Sequence, residues 1–210
     1  MKSRPLLTVI SGFAGSGKGS AMKGLLERYP DQYALSVSAT TRSPRPGEEN
    51  GREYFFVSDE EFEEKIRNEE LLEYAGYVGH YYGTPRSFVQ ENLDKGLDVL
   101  LEIEIQGALQ IREKFPDTLL LFLTPPSAEE LKKRLIGRGT EDEETVKKRL
   151  SRAAEESEGI ESYDYLVVND DLDRCIDEIH AIIQSEKHRV SRQQGEIIEL
   201  REGVRTFLQL

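Results

Sequence analysis

Short apolar runs alternate with longer stretches of helical pattern along this chain. The runs lie at residues 6–10, 34–38, 97–105, 118–123 and 165–168, and several are nearly continuous in Leu, Ile and Val. Strands covered on both faces read this way, because every side chain meets a packed layer whichever way it points. Between the runs, the pattern predicts helices over 19–29, 59–74, 86–95, 128–138, 145–158 and 172–192. Ser58 with Glu61, and Ser127 with Glu130, have capping-box spacing at two of these starts, and Gly96 after Lys95 suits a helix stop. Strands alternating with helices predict an α/β fold around a mostly parallel sheet.

Two stretches break the alternation. Residues from about 40 to 51 are rich in Arg, Pro, Gly and Glu, and 137–144 are polar and charged between two helical patterns. Both are expected to be mobile excursions from the core, over a site. The tail at 195–210 has a short apolar pattern whose packing partner the sequence does not specify. The length of 210 residues suits one compact unit, and no internal repeat or low-complexity linker divides it.

Charge and cysteine usage narrow the function classes. With 28 Lys+Arg against 40 Asp+Glu the formal charge is −12, which argues against non-specific binding to nucleic acid or an anionic membrane. No segment approaches the ~18 consecutive apolar residues of a membrane helix. The run that follows Lys2 and Arg4 stops at Ser11-Gly12, short of the roughly 7–15 residues of a signal-peptide core. The expectation is a cytoplasmic chain that begins with a buried strand. Cys175 is the only cysteine, which excludes an internal disulfide and a cysteine-based zinc cluster. His80, His180 and His188 lack metal-ligand spacing and are expected at the surface, and the acidic face of 59–73 reads as solvated helix.

The first chemistry-bearing motif is Gly12-Phe13-Ala14-Gly15-Ser16-Gly17-Lys18, a G-x-x-x-x-G-K pattern between a predicted strand and a predicted helix. Glycines let the backbone curl so that successive N–H groups face phosphate oxygens, and the helix N-terminus adds partial positive charge. Lys18 would then reach the β- and γ-phosphates of a nucleotide. The hydroxyl residue that usually follows the lysine is Gly19 here, and a hydroxyl comes one place later at Ser20.

Further along, Arg42 and Arg45 share a loop stiffened by Pro44 and Pro46. In so acidic a chain the pair suggests an anion clamp, since arginine forks match phosphate geometry. The bland alternative is two solvated arginines paired with Glu48 and Glu49. Glu102 and Glu104, two apart on a predicted strand, would point to one face. Like charges there, amid Leu101, Ile103 and Ile105, would be costly unless the strand's end opened into a site. Taken singly, Glu73 reads as a solvated helix-end glutamate, Thr84 before Pro85 as a helix N-cap, and Tyr54 and Tyr82 as packing residues.

Residues 36–57, in the pattern S-x-S-x-T-T-R-x-P-R-x-G-E-x-N-G-x-x-Y-x-F-V, resemble the signature of guanylate kinases. Further matches follow in order: Glu73-Tyr74-Ala75, Tyr81-Tyr82-Gly83-Thr84, Glu102-Ile103-Glu104-Ile105-Gln106-Gly107, Arg138-Gly139-Thr140-Glu141 through Arg149-Leu150, and Val168-Asn169-Asp170-Asp171. The likeness runs from about Leu6 to Glu186 and leaves out only the tail.

That resemblance implies one domain over 1–210: a P-loop NTPase-type parallel sheet core flanked by helices (about 1–35, 93–126 and 160–192), a GMP-binding lobe (about 36–92), a lid (about 127–159) and a tail (193–210). It implies transfer of the γ-phosphate of ATP to GMP, with Mg²⁺ as cofactor. The donor would sit on Gly12, Phe13, Ala14, Gly15, Ser16, Gly17, Lys18, Gly19 and Ser20, with Asn169 on the adenine side or capping the helix that follows. Arg42, Arg45, Tyr54 and Tyr82 would hold the GMP phosphate, with Ser38, Glu73, Thr84 and Glu104 near the guanine. Guanine offers N1–H and an N2 amine as donors, so a buried carboxylate would favour it over adenine, and a site built this way discriminates by ~10⁴ or more.

Lys18, Arg45, Arg138 and Arg149 would act on the transferring group. The Gly19 arrangement resembles the loop of adenylate kinases, which points to magnesium held through water, with Glu102 and Ser20 as its candidates. Many guanylate kinases carry Asp where Glu104 stands. Two other readings compete. One is a catalytically dead interaction module, which would be expected to lack parts of the loop or the arginine clamp; the other is a different nucleoside monophosphate kinase. Oligomeric state and the use of dGMP stay open.

Overall fold

The computed structural model describes residues 4–77, 79–136 and 143–209. In chain order the elements are β1 (Leu7–Gly12), α1 (Lys18–Arg28), β2 (Tyr33–Leu35), β3 (Ser38–Thr40), β4 (Tyr54–Phe56), α2 (Asp59–Arg67), β5 (Leu71–Tyr77), β6 (His80–Pro85) and α3 (Arg86–Asp94). There follow β7 (Asp98–Glu102), α4 (Ile105–Lys114), β8 (Leu119–Thr124), α5 (Ala128–Ile136), α6 (Glu143–Ser157), β9 (Tyr165–Val168), α7 (Leu172–Lys187) and α8 (Gln194–Thr206).

Five strands form a parallel sheet in the order β2-β7-β1-β8-β9, as the alternation of apolar runs predicts. Side chains alternate between its faces. Ile10, Leu100, Leu119 and Leu121 meet Met22 and Leu25 of α1 and Ile176 and Ile179 of α7. On the other face Val9, Val99, Leu101 and Leu120 meet Val89 of α3 and Ala108 and Ile111 of α4. A Cβ on Gly24 would come within 2.2 Å of Ile176 Cδ1, so glycine is what lets α1 lie this close to α7.

A second, four-stranded sheet in the order β4-β3-β6-β5 closes over a small core of Ala39, Phe62 and Leu71. The apolar run at 34–38 serves both sheets: β2 belongs to the first and β3 to the second, with the Ser36 N–H donating to the carbonyl of Leu100 at the crossing.

Three predicted elements are corrected here. The helix expected over 59–74 ends at Arg67, Glu69 takes a left-handed φ of 55°, and 71–77 form a strand. No glycine or proline marks that change, so the helical pattern runs on in the sequence without a stop. The strand expected over 97–105 ends at Glu102, and Ile105 begins a helix that was not expected. The helix expected to reach Arg192 stops at Lys187 and is followed by a short 3₁₀ turn.

The capping expectations fare better. Ser58 and Glu61 form a reciprocal capping box, the Ser127 hydroxyl accepts from the Glu130 N–H at 3.2 Å, and Gly96 turns the chain out of α3 with φ 82°. His180, expected at the surface, is half-buried: it stacks on Tyr29 at 3.8 Å, with its Nδ1 2.7 Å from the Tyr33 hydroxyl. No helix among the described residues is long and apolar enough to cross a membrane.

Candidate active site

The carboxyl ends of β1 and β7 open into a cleft of about 560 Å³ between the two sheets and α6. Such crevices are where ligands meet open α/β sheets, because helix N-termini and loop amides converge there. Among the residues singled out from sequence, Ala14, Gly15, Lys18, Ser38, Arg42, Arg45, Tyr54, Glu73, Tyr82, Glu102, Glu104 and Arg149 line this one cleft. Arg138 lies outside the described residues.

Backbone builds the first wall. A Cβ on Gly12 would sit 2.1 Å from the Leu123 carbonyl oxygen, so the loop can start this close to β8 only with glycine. Gly17 holds φ 92° at the start of α1, where a Cβ would meet Asn169 Nδ2 at 2.3 Å. The buried Asn169 amide donates to the Ser16 carbonyl at 2.8 Å and ties β9 to the loop, while the cap of α7 comes from Asp171, which accepts from the Arg174 N–H. Phe13 points the other way and packs edge-on against Phe122 at 5.0 Å.

The Lys18 ammonium donates to the carbonyls of Gly12 at 2.6 Å and Phe13 at 3.2 Å, folded back over the start of its own loop. Glu102 ends β7 facing it across the cleft. Partial burial raises the Glu102 pKa, Lys18 pulls it back and Glu104 raises it further. Ser20 is exposed on the first turn of α1.

Side chains build the second wall. Both terminal nitrogens of Arg42 donate to the Glu48 carboxylate at 3.0 Å, and the Arg45 N–H donates to the same group at 2.7 Å. The pairing that the bland reading expects is therefore real for Glu48, whereas Glu49 pairs with Arg52. Yet Arg42 is only 13% exposed, and its guanidinium lies 5.4 Å from the Tyr54 ring and 5.8 Å from that of Phe56. Tyr82 meets Tyr54 edge-on at 5.9 Å. Hydrogen bonds to Glu48 hold the Arg42 pKa above its ordinary value, with burial opposing and Tyr82 adding to it.

Glu73 departs furthest from its bland reading. It lies on β5, 4% exposed, and accepts a 2.6 Å hydrogen bond from the Thr84 hydroxyl on β6. Thr84 is accordingly not the cap of α3; that position is Pro85, with no side-chain bond. A Cβ on Gly107 would fall 2.5 Å from Glu73 Oε2, so the first turn of α4 admits the carboxylate only because that residue is glycine. Burial raises the Glu73 pKa, opposed by the Thr84 bonds and by Lys114.

Glu104 does not share a strand face with Glu102. The strand has ended, Glu104 occupies the N-cap position of α4 without capping it, and its carboxylate instead accepts from Arg152 Nη2 at 3.3 Å. Sequence reading missed Gly107 as the space for Glu73, and Arg134, Arg152 and Glu156, which also line the cleft. Only the Gln106-Gly107 step carried a signal, as part of the quoted motif. The helix arginines look like any solvated helix face.

Comparison with known proteins follows the same outline. A family profile described as guanylate kinase matches residues 2–186. A guanylate kinase of Streptococcus thermophilus is 50% identical over 195 residues, covering 93% of this chain and 93% of its own. One from Latilactobacillus sakei is 51% identical over 192 residues, covering 91% of this chain and 95% of its own. The crystal structure of guanylate kinase from Anaplasma phagocytophilum superposes with a TM-score of 0.76 at 35% identity, covering 96% of this chain and 97% of that one.

Proposed function

The chain belongs to the guanylate kinase family and catalyses ATP-dependent phosphorylation of GMP to GDP, and we propose that the two walls of its cleft divide that reaction as follows. The backbone wall takes the donor and the side-chain wall takes the acceptor. The observation that carries the assignment is Glu73, a buried carboxylate held by Thr84 beside Gly107, in the cleft that also contains Lys18. A carboxylate there accepts from guanine N1–H and the N2 amine, whereas adenine would set a lone pair against it. Ser38 and Glu104 line the same end.

The attacking group is a phosphate oxygen already ionised at neutral pH, so positioning and charge neutralisation are what the protein must supply. Lys18 moves from the Gly12 and Phe13 carbonyls to the donor phosphates. Arg42 and Arg45 hold the GMP phosphate, with Tyr54 and Tyr82 beside them, and the incoming anion competes with Glu48 for the Arg42 fork. Arg149, on α6, lines the cleft and would act on the transferring group, a role that the family motif also gives to Arg138, outside the described residues.

The residues present fit a divalent ion that arrives on the triphosphate. No group of three His, Cys, Asp or Glu among the described residues could cage a metal, but Glu102 offers hard oxygen at the mouth of the loop. Glu102 would hold Mg²⁺ through water, with the Ser20 hydroxyl further out, and the ion would neutralise charge on the β- and γ-oxygens. We also read the enzyme as cytoplasmic, in keeping with a lone buried thiol at Cys175.

A coupled ADP-release assay with GMP, AMP, CMP and UMP, run on the wild type and on Glu73→Gln, tests the assignment. Turnover with GMP alone, lost selectively in the variant while ATP binding persists, is the expected result. Equal loss at both substrates removes Glu73 from base reading.

A further inference from the structure

Glu104 lies 48 positions before Arg152 in the chain, yet Arg152 Nη2 stands 3.3 Å from its carboxylate while Nε donates to Glu156 at 2.9 Å. All three side chains line the cleft. Arg152 and Glu156 are one turn apart on α6, and the next residue, Ala153, is buried against Phe13, Phe122, Leu131 and Leu135. The helix that presents Arg152 is therefore anchored on Phe13 of the donor loop, and its guanidinium reaches the acceptor end from there. We propose that Arg152 is a positioning residue for base selection, which holds the Glu104 carboxylate where guanine is read.

The inference rests on the guanine-side reading of Glu104 given above. Glu104 follows the end of β7, has no cap to bond, and its side chain is 56% exposed. Left alone, such a side chain samples many rotamers, and ordering it on the ligand costs entropy. An exposed ion pair contributes little to folding, so what the Arg152 contact supplies is placement.

The charge balance points the same way. Two carboxylates share one guanidinium, and Glu156, only 15% exposed, is raised in pKa first by burial and further by Glu104. Ionised carboxylates accept and cannot donate, so a ligand that meets this cluster does so through its own donors. Guanine's N2 amine keeps a second hydrogen beyond the one that Glu73 takes, and a base lacking that amine has nothing to donate to the Glu104 carboxylate.

Steady-state kinetics with GMP and with IMP, which lacks that amine, test this directly. Arg152→Ala is expected to raise KM for GMP about threefold to tenfold, the range between an exposed ion pair and a charge-assisted hydrogen bond. The preference for GMP over IMP should shrink by a similar factor, with kcat and the KM for ATP within about twofold of wild type. Arg152→Lys should restore part of the preference, because an ammonium supplies the charge without the fork.

Glu104→Ala is the control, and the double variant should be no worse than Glu104→Ala alone. An unchanged GMP-to-IMP ratio in Glu104→Ala would overturn the guanine-side reading, and the inference with it. A compressed ratio there but not in Arg152→Ala overturns the role of Arg152 alone. So does an additive double variant, or an Arg152→Ala enzyme whose kcat and ATP KM fall together with GMP use.

Discussion

The glycine loop and the side-chain wall, proposed above as the donor and acceptor sides, line one cleft and are built in opposite ways. The loop is a contiguous stretch of backbone between β1 and α1, shaped by glycines that approach Leu123 and Asn169 too closely for any side chain. The proposed acceptor wall takes side chains from β3, β4, β5, β6 and the loop after β3, and Gly107 in the first turn of α4 leaves room for them. In each wall a cation is held by its own segment: Lys18 on its loop's carbonyls, Arg42 on Glu48. The difference is in the cost. A backbone cradle needs no buried charge, whereas reading a base requires a carboxylate kept dry, and Glu73 is kept so at 4% exposure.

Four substitutions or titrations would break this contrast or sharpen it. The largest effect is expected from Lys18→Ala, which should lower kcat by roughly 10²–10³, the scale of one transition-state donor, while calorimetry finds GMP binding intact. Parallel loss of GMP binding would mean that the two walls are not separable.

Glu73→Gln comes next. It should lower kcat/KM for GMP on the order of 10²-fold and leave ATP affinity unchanged. The same change should raise the melting temperature at neutral pH. Burial raises the folded-state pKa of Glu73, so the native state binds the proton more tightly than the unfolded chain. Stability from this group is then intact below the unfolded carboxylate pKa and lost as pH rises through the folded one. The stability gap between variant and wild type should widen with pH across that window. A less stable variant would place the value of Glu73 in its contacts with Thr84.

Gly107→Ala should raise KM for GMP about tenfold, since the added methyl pushes on Glu73 Oε2 and sub-ångström placement matters at such sites. An unchanged KM would show that the carboxylate has room to retreat. The smallest effect is a titration. On the proposed reading guanine needs Glu73 ionised, so KM for GMP should climb as pH falls through its raised pKa, starting at higher pH than an ordinary carboxylate would. The KM for ATP should stay flat there, and Glu73→Gln should abolish the climb.

The contrast also explains what could be read from the chain. The parallel sheet is visible because all of its strands but the short β2 are rich in the Leu, Ile and Val that both layers demand. The second sheet is nearly invisible, since β3 and β4 have three residues each, and β5 follows a charged helix with only Asn68, Glu69 and Glu70 to separate the patterns. That is why Glu73 reads as a helix-end residue on pattern alone, and why only its place in a longer motif marks it. Arg42 stood out in the sequence as a clamp candidate, but its partner Glu48 was one of two equal candidates until the loop's course was known.

What the sequence determined by itself is whatever lies within a few residues: the glycine-shaped phosphate loop, the capping box at Ser58, the strand runs of the core. Local sterics and backbone hydrogen bonding act over that range, so the residue pattern suffices. Tertiary structure alone decided that Glu73 is dry, that Gly107 makes room for it, and that Glu104 meets Arg152 across 48 positions. Desolvation and charge pairing depend on which layers come to cover a group, and that is settled only when distant segments pack.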